Sequence, residues 1–238
     1  MTEAVLAGGY RGVMGAAAAI AGIAARVPGA PQAWRDLRDR LGRLSDDQRA
    51  AAASRTAMWL HAASVGELTA SRPLIRRLRE RFPERLLALS TVTRTGLELA
   101  RAIPEAHLAF LLPLDSARAV RRLLATLRLD AFFFTETEIW PTLLAELAEA
   151  GVPAFMVSGR VSERTVARAR WLRPLYRRAL GSVTCCMQTE EDAARVIQLG
   201  ADTRGVQVAG SLSSTARSRV RRRTSAGSRP RSTRRGGG

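Results

Sequence analysis

Glu67, in Ala63-Ser64-Val65-Gly66-Glu67, and Glu136 and Glu138, in Thr135-Glu136-Thr137-Glu138-Ile139-Trp140-Pro141, are the carboxylates best placed for proton chemistry. Both strings follow short apolar runs, and in an open parallel sheet ligands bind just beyond the carboxyl ends of the strands. In the common strand order 3-2-1-4-5-6, the first and fourth strands are neighbours at the switch point, so Glu67 and Glu136 would face one crevice. Two nearby carboxylates in unequal environments have their pKa values pushed apart and can take distinct roles. A plainer reading stands beside this one. A Glu in the first turn of a helix is favoured by the helix dipole, which fits Glu67 and Glu138, and Pro141 suits a first helical position. The other strand ends add Thr91 to Gly96, Leu112 to Asp115, Ser158 to Ser162 and Gln188 to Glu190, a rim of hydroxyls, carboxylates and an arginine.

Several chemistries find no support. The Gly-rich dinucleotide fingerprint is absent, which argues against a nicotinamide enzyme. Only His61 and His107 are available to activate a serine, and no serine–histidine constellation is visible. His61 lies inside a strand pattern, where a core or rim position is expected. Cys185 and Cys186 are adjacent, so in a strand they point to opposite faces and an ordinary structural disulfide between them is not expected. No zinc-type spacing exists and no metal site is expected. A reducing cytoplasmic location fits this cysteine usage.

The elements that must position these residues are legible as short apolar runs at 57–63, 86–92, 107–112, 131–134, 154–157, 183–187 and 206–209. Between most of them lie amphipathic stretches with apolar residues at helical spacing, such as Leu74, Leu78 and Phe82. The alternation predicts an α/β fold, a Rossmann-like doubly wound parallel sheet over residues 45–212. Ahead of it runs an Ala-rich apolar segment, Gly12 to Ala25, bracketed by Arg11 and Arg26 and followed by the basic amphipathic stretch Trp34 to Leu41. It is short of the roughly 20 residues that a spanning helix needs. Residues 1–30 are expected to form a membrane anchor or interfacial helix, with a cleaved signal peptide or an ordinary Ala-rich helix as alternatives.

After Gly210-Ser211-Leu212 the pattern stops. Residues 213–238 are rich in Arg, Ser and Gly with almost no apolar content, and are expected to be a disordered tail. The chain carries a formal net charge of +17, and all 38 basic residues are arginine, which suits a GC-rich genome. Removing the nine arginines between Arg217 and Arg235 leaves +8. The tail alone invites a second reading, a basic module that contacts nucleic acid or anionic lipid.

The motif series His61-Ala-Ala-Ser-Val-Gly-Glu67, Thr91-Val-Thr-Arg-Thr-Gly96, Pro113-Leu-Asp115, Thr135-Glu-Thr-Glu-Ile-Trp-Pro141 and Ser158-Gly-Arg-Val-Ser162 resembles, in order and spacing, the amino-terminal half of the 3-deoxy-D-manno-octulosonic acid (Kdo) transferases of lipopolysaccharide assembly. The resemblance implies one half of a two-domain GT-B-type glycosyltransferase with a cleft between two Rossmann-like halves. It implies that the amino-terminal half takes a lipid A precursor at the cytoplasmic face of the bacterial inner membrane. The carboxy-terminal half would bind the donor CMP-Kdo, and transfer would use no metal or cofactor. Glu67 matches the general base and Glu136 a position that stabilises the transition state. Ser64, Gly66, Thr93, Gly96, Glu138, Arg160 and Ser162 match positions expected to bind the acceptor. No nucleic-acid partner is implied.

Two departures qualify the match. The family usually reads Asn-Ala-Arg at the positions of Ser158-Gly159-Arg160. It also continues Gly-(Asn/Ser)-Leu-Lys-Phe-Asp, where this chain reads Gly210-Ser211-Leu212-Ser213-Ser214-Thr215. Lys-Phe-Asp written AAG TTC GAC becomes Ser-Ser-Thr on loss of one A, so the tail is expected to be a frameshift product and this chain inactive alone. A third reading, another sugar-nucleotide enzyme of similar fold, would require donor binding by residues 45–212 without a second domain.

Overall fold

The computed structural model describes residues 3–24, 32–136, 138–169 and 172–212. Seven strands form one sheet: β1 (Ala57–His61), β2 (Leu86–Thr91), β3 (Leu108–Leu111), β4 (Leu129–Thr135), β5 (Ala154–Gly159), β6 (Val183–Met187) and β7 (Val206–Val208). Their order is β3-β2-β1-β4-β5-β6-β7 and every pairing is parallel. This is the doubly wound α/β arrangement that the alternation of runs predicts, with β7 added at the edge. Three helices precede the sheet, α1 (Glu3–Ala24), α2 (Gln32–Asp39) and α3 (Asp46–Ala53). The crossovers are α4 (Val65–Ala70) and α5 (Arg72–Arg81) after β1, α6 (Arg94–Arg101) after β2, α7 (Ala117–Leu124) after β3 and α8 (Pro141–Glu149) after β4. They continue with α9 (Glu163–Ala169) and α10 (Arg173–Leu180) after β5, and α11 (Glu190–Leu199) after β6.

The strand alternation divides the core between the two sheet faces. Trp59, Ala88, Phe110, Phe132 and Phe134 belong to one buried cluster, and Met58, Leu60, Leu87, Leu89 and Leu111 to the other. β1, at the centre, is buried throughout because helices cover both faces. Trp59 anchors the first cluster, with its ring centroid 4.6 Å from Phe132 and 5.6 Å from Phe110.

α8 starts at Pro141 and receives no side-chain cap from its own first residues. Its first turn is capped from a distance by Asp115, which is buried in the β3–α7 loop. Asp115 accepts from the backbone N–H of Thr142 at 3.0 Å and of Leu143 at 2.7 Å, and from the Tyr10 hydroxyl at 2.6 Å. The two backbone N–H groups would otherwise be orphan donors of a helix start. Burial pushes the Asp115 carboxyl up, while the three hydrogen bonds favour its charged form. One carboxylate thus ties α1 to α8 through the loop that carries Pro113-Leu-Asp115.

The stretch around α2 is sewn onto the domain by its charges. Arg94 at the start of α6 donates to Asp36 at 2.6 Å and to Asp39 at 2.5 Å, and Arg40 Nε donates to the Leu112 carbonyl at 2.8 Å. α1 packs Tyr10 and Ala21 toward the domain and leaves Val13, Ile20 and Ile23 largely exposed on its other side. Among the described residues no helix is long and apolar enough to cross a membrane. The tail at 213–238 lies outside the described residues.

Asp115→Ala is expected to cost about 3 kcal/mol of unfolding free energy, from two orphaned helix N–H groups and a lost charge-assisted bond. Tyr10→Phe should cost about 1 kcal/mol. Urea denaturation followed by circular dichroism measures both, and equal, near-zero losses would contradict the role given to Asp115.

Candidate active site

β1 and β4 are neighbours, so the turns that follow them open on the same side of the sheet. Glu67 sits in the first turn of α4, which Ser64 caps by accepting from the Glu67 backbone N–H at 3.2 Å. The side chain does not simply point at the helix dipole. Its carboxylate accepts from the Ala63 backbone N–H at 3.1 Å, the Ser64 hydroxyl at 3.0 Å and the Thr135 hydroxyl at 2.7 Å. Thr135 is the last residue of β4, so this third bond crosses the switch point. Three donors from two strand ends fix the rotamer of a carboxylate that lines an open cleft.

The same cleft is lined by Ser71, Thr135, Glu136, Ser158, Arg160 and Gln188. The structure therefore brings Glu67, Glu136 and Arg160 together. Glu136 and Ser158 are the two non-glycine residues with positive φ among the described residues, at 54° and 56°. They lie at the carboxyl ends of adjacent strands, Glu136 just after β4 and Ser158 next to last in β5, and such strained backbone is enriched at functional sites. Burial, and next the Glu67 charge, push the Glu136 carboxyl up; Arg160 opposes this and Glu138 adds to it. Glu138 goes the other way, held below the usual carboxylate range chiefly by the His61 imidazole, with help from Trp140 and Arg40. The two carboxyls pushed in opposite directions are thus Glu136 and Glu138.

Ser158 stands where Asn is usual in the resembling family. Asn tolerates positive φ better than Ser does, which gives that preference a backbone cause. Here Ser158 is held by Gln188, whose Nε2 donates to its carbonyl at 3.0 Å and its hydroxyl at 3.2 Å, and by the Leu212 N–H at 3.3 Å. The neighbouring glycine has its own reason, because a Cβ at Gly159 would lie 2.6 Å from Met187 Sδ.

Other residues singled out from the sequence have local structural work. Thr93 caps α6 by accepting from the Gly96 N–H at 3.1 Å, and a Cβ at Gly96 would meet Thr91 at 2.9 Å. Ser162 accepts from the Thr165 N–H at 3.2 Å at the start of α9. Gly66 is exposed, with only ordinary space around its would-be Cβ. Thr93, Gly96, Glu138 and Ser162 do not line the cleft that holds Glu67. Thr135, Gln188 and Ser71 do; the first two belong to the polar rim of strand-end residues, without an individual role there, and nothing in the sequence marks Ser71. Thr135 had one available signal, its place as the final residue of the fourth strand. Thr137 lies outside the described residues.

The matching family model is that of 3-deoxy-D-manno-octulosonic-acid transferase (kdotransferase), over residues 35–215. This chain belongs to that family. Among its relatives, a 3-deoxy-D-manno-octulosonic acid transferase of Bordetella pertussis is 38% identical over 169 residues, covering 69% of this chain and 39% of the relative. One from Chlamydia trachomatis serovar D is 32% identical over 158 residues, 65% of this chain and 37% of the relative. A bifunctional glycosyltransferase/methyltransferase of Fusobacterium nucleatum is 30% identical over 159 residues, 65% of this chain and 25% of that protein. The aligned part of this Kdo transferase family member spans under two fifths of each relative.

Carboxyl-carbon NMR titration should find Glu136 above the ordinary glutamate range. Glu67→Gln should move it down and Arg160→Met should move it up. A raised folded-state value means stability falls as pH rises through it. Glu136→Gln should therefore gain stability relative to the parent chain as pH climbs from acid to neutral. At the neighbouring strand end, Ser158→Asn is expected to preserve thermal stability. Ser158→Val should lower unfolding free energy by about 1–2 kcal/mol, because a β-branched residue resists positive φ.

Proposed function

We propose that this chain supplies the acceptor-side half of a glycosyltransferase that moves Kdo from CMP-Kdo to a lipid A precursor in lipopolysaccharide core biosynthesis. What carries the reading is the junction of Glu67 and Glu136 across β1 and β4 in a chain of this family. The donor half is proposed to be a second Rossmann-like domain facing the same carboxyl edge, in a GT-B arrangement. Glu67, oriented by Thr135, Ser64 and the Ala63 N–H, takes the proton of the attacking acceptor hydroxyl. The hydroxyl oxygen bonds to the anomeric carbon while the bond to the phosphate of CMP breaks, and CMP leaves with that electron pair. Glu136, whose charged form is disfavoured by burial and by Glu67, is assigned the stabilisation of the transition state. Arg160 offers a fixed positive charge at the same edge. The step is proposed to use no metal or cofactor.

In this reading the acceptor is a lipid and the site works at the cytoplasmic face of the bacterial inner membrane. The exposed Val13, Ile20 and Ile23 of α1 support an interfacial seat for that helix, apolar side down. Ser64, Gly66, Thr93, Gly96, Glu138, Arg160 and Ser162 form or shape the acceptor's surroundings, several of them by fixing helix starts around the cleft.

A chimera tests this: residues up to Leu212 joined to the remaining length of the Bordetella pertussis relative, assayed for Kdo transfer to a lipid A precursor. Transfer is expected from the chimera and not from this chain alone. Glu67→Ala in the chimera should lose about 10²–10⁴-fold in kcat, the usual worth of general acid–base catalysis. Near-parental turnover by that variant would remove Glu67 from its role.

A further inference from the structure

His61 closes β1 and is fully buried, yet its Nε2 has no hydrogen-bond partner. The atom faces Glu138, whose Oε2 lies 3.9 Å away, beyond hydrogen-bond length but within reach of a small side-chain rotation. The indole nitrogen of Trp140, two residues past Glu138, is likewise buried and unpartnered. An indole N–H can only donate. Two orphan ring nitrogens therefore stand near one carboxylate.

The other side of the His61 ring determines what Nε2 is. Trp59 Nε1 donates to Ser90 Oγ at 2.8 Å, so that hydroxyl already accepts from a group that cannot take a proton back. The Ser90 proton is then free to point elsewhere, and His61 Nδ1 lies 2.9 Å from the same oxygen. If Ser90 donates, Nδ1 is unprotonated and the neutral ring carries its proton on Nε2. The competing arrangement has Nδ1–H donating to the Ser90 carbonyl at 3.1 Å, an oxygen that already accepts from the Ala62 N–H.

We propose that His61 is a positioning residue of the active site: the buried Trp59–Ser90 relay locks its ring as the neutral Nε2–H tautomer, and that N–H fixes the Glu138 carboxylate beside the cleft. The His61 ring, as a neutral donor, and the Arg40 charge both favour the ionised form of that carboxylate, and it acts in turn on Glu136. Its role is electrostatic: an anion of fixed place adds, after burial and the Glu67 charge, to what disfavours the charged form of Glu136. The assignment rests on the cleft being the active site, but its test needs no turnover. Loss of Kdo transfer and loss of the tautomer are thus separate results.

The chain has two histidines, so two-bond proton–nitrogen correlation spectra of the ¹⁵N-labelled full chain resolve both rings. His107 Nδ1 accepts from the Leu87 N–H at 3.0 Å, which makes His107 an internal control for an intact fold. His61 is expected to show an unprotonated Nδ1 and a protonated Nε2. Ser90→Ala should populate the Nδ1–H form at His61 and leave His107 unchanged, and Ser90→Thr, which keeps the hydroxyl, should restore the parental pattern. Glu138→Gln should shift the His61 Nε2–H signal without changing the tautomer. A His61 protonated at Nδ1, or on both nitrogens, in the parent chain near neutral pH overturns the proposal. So does a Nε2–H signal that Glu138→Gln leaves in place.

Discussion

The parallel pairing of β1 with β4 puts the Thr135 hydroxyl 2.7 Å from Glu67, and most of the site follows from that contact. The two strands are separated in sequence by the whole first half of the winding, and nothing local would bring their ends together. Their pairing is where the order of the sheet reverses, so helices diverge to either side and leave a crevice at the carboxyl edge. Glu67 arrives from one strand, Thr135 and Glu136 from the other. Ser158 and Arg160 follow from β5, the next strand along. A slip of one residue between β1 and β4 would turn Trp59 and Phe132 out of their cluster. The aromatic core and the carboxylate pair are therefore specified by the same register.

Crowding acids at one edge carries an electrostatic cost, and the fold distributes it unevenly. Glu67 is met by three donors, two of them from its own turn. Glu138 is met by a buried imidazole and lies under the influence of Arg40. Glu136 has Arg160 as its main counterweight and sits on strained backbone. The residue with the least support is the one whose charged form is disfavoured, which suits a group that works by donating a proton or a hydrogen bond.

The strand positions were legible because a sheet covered on both faces needs continuous apolar runs, and all seven runs became strands. The pairing of Glu67 with Glu136 was legible too, since strand order in such folds is restricted. The ends of the runs were less so: Ala62 and Ala63 look like more of β1, but Ala63 turns its N–H to the Glu67 carboxylate. Asp115 read as part of a motif without a task. Its task, capping a helix 27 residues further on, depends on a contact no periodicity records. The His61 arrangement was hidden for the same reason. A histidine in a strand looks like core, and only the geometry shows one ring nitrogen satisfied and the other left facing an acid. The stretch Trp34 to Leu41 read as a basic flank, but Asp36 and Asp39 turn it into a clasp on Arg94.

Asp115 joins α1 to the first turn of α8, and α8 begins directly after the segment that carries Glu136 and Glu138. In mechanical terms, the amino-terminal helix and the acidic turn are two ends of one short linkage, with a single carboxylate as the pin. A load that shifts Tyr10 is borne by the same atoms that set where α8 starts. The position of α1 is thus a boundary condition on the geometry of the cleft, although none of its residues described with their side chains lines it.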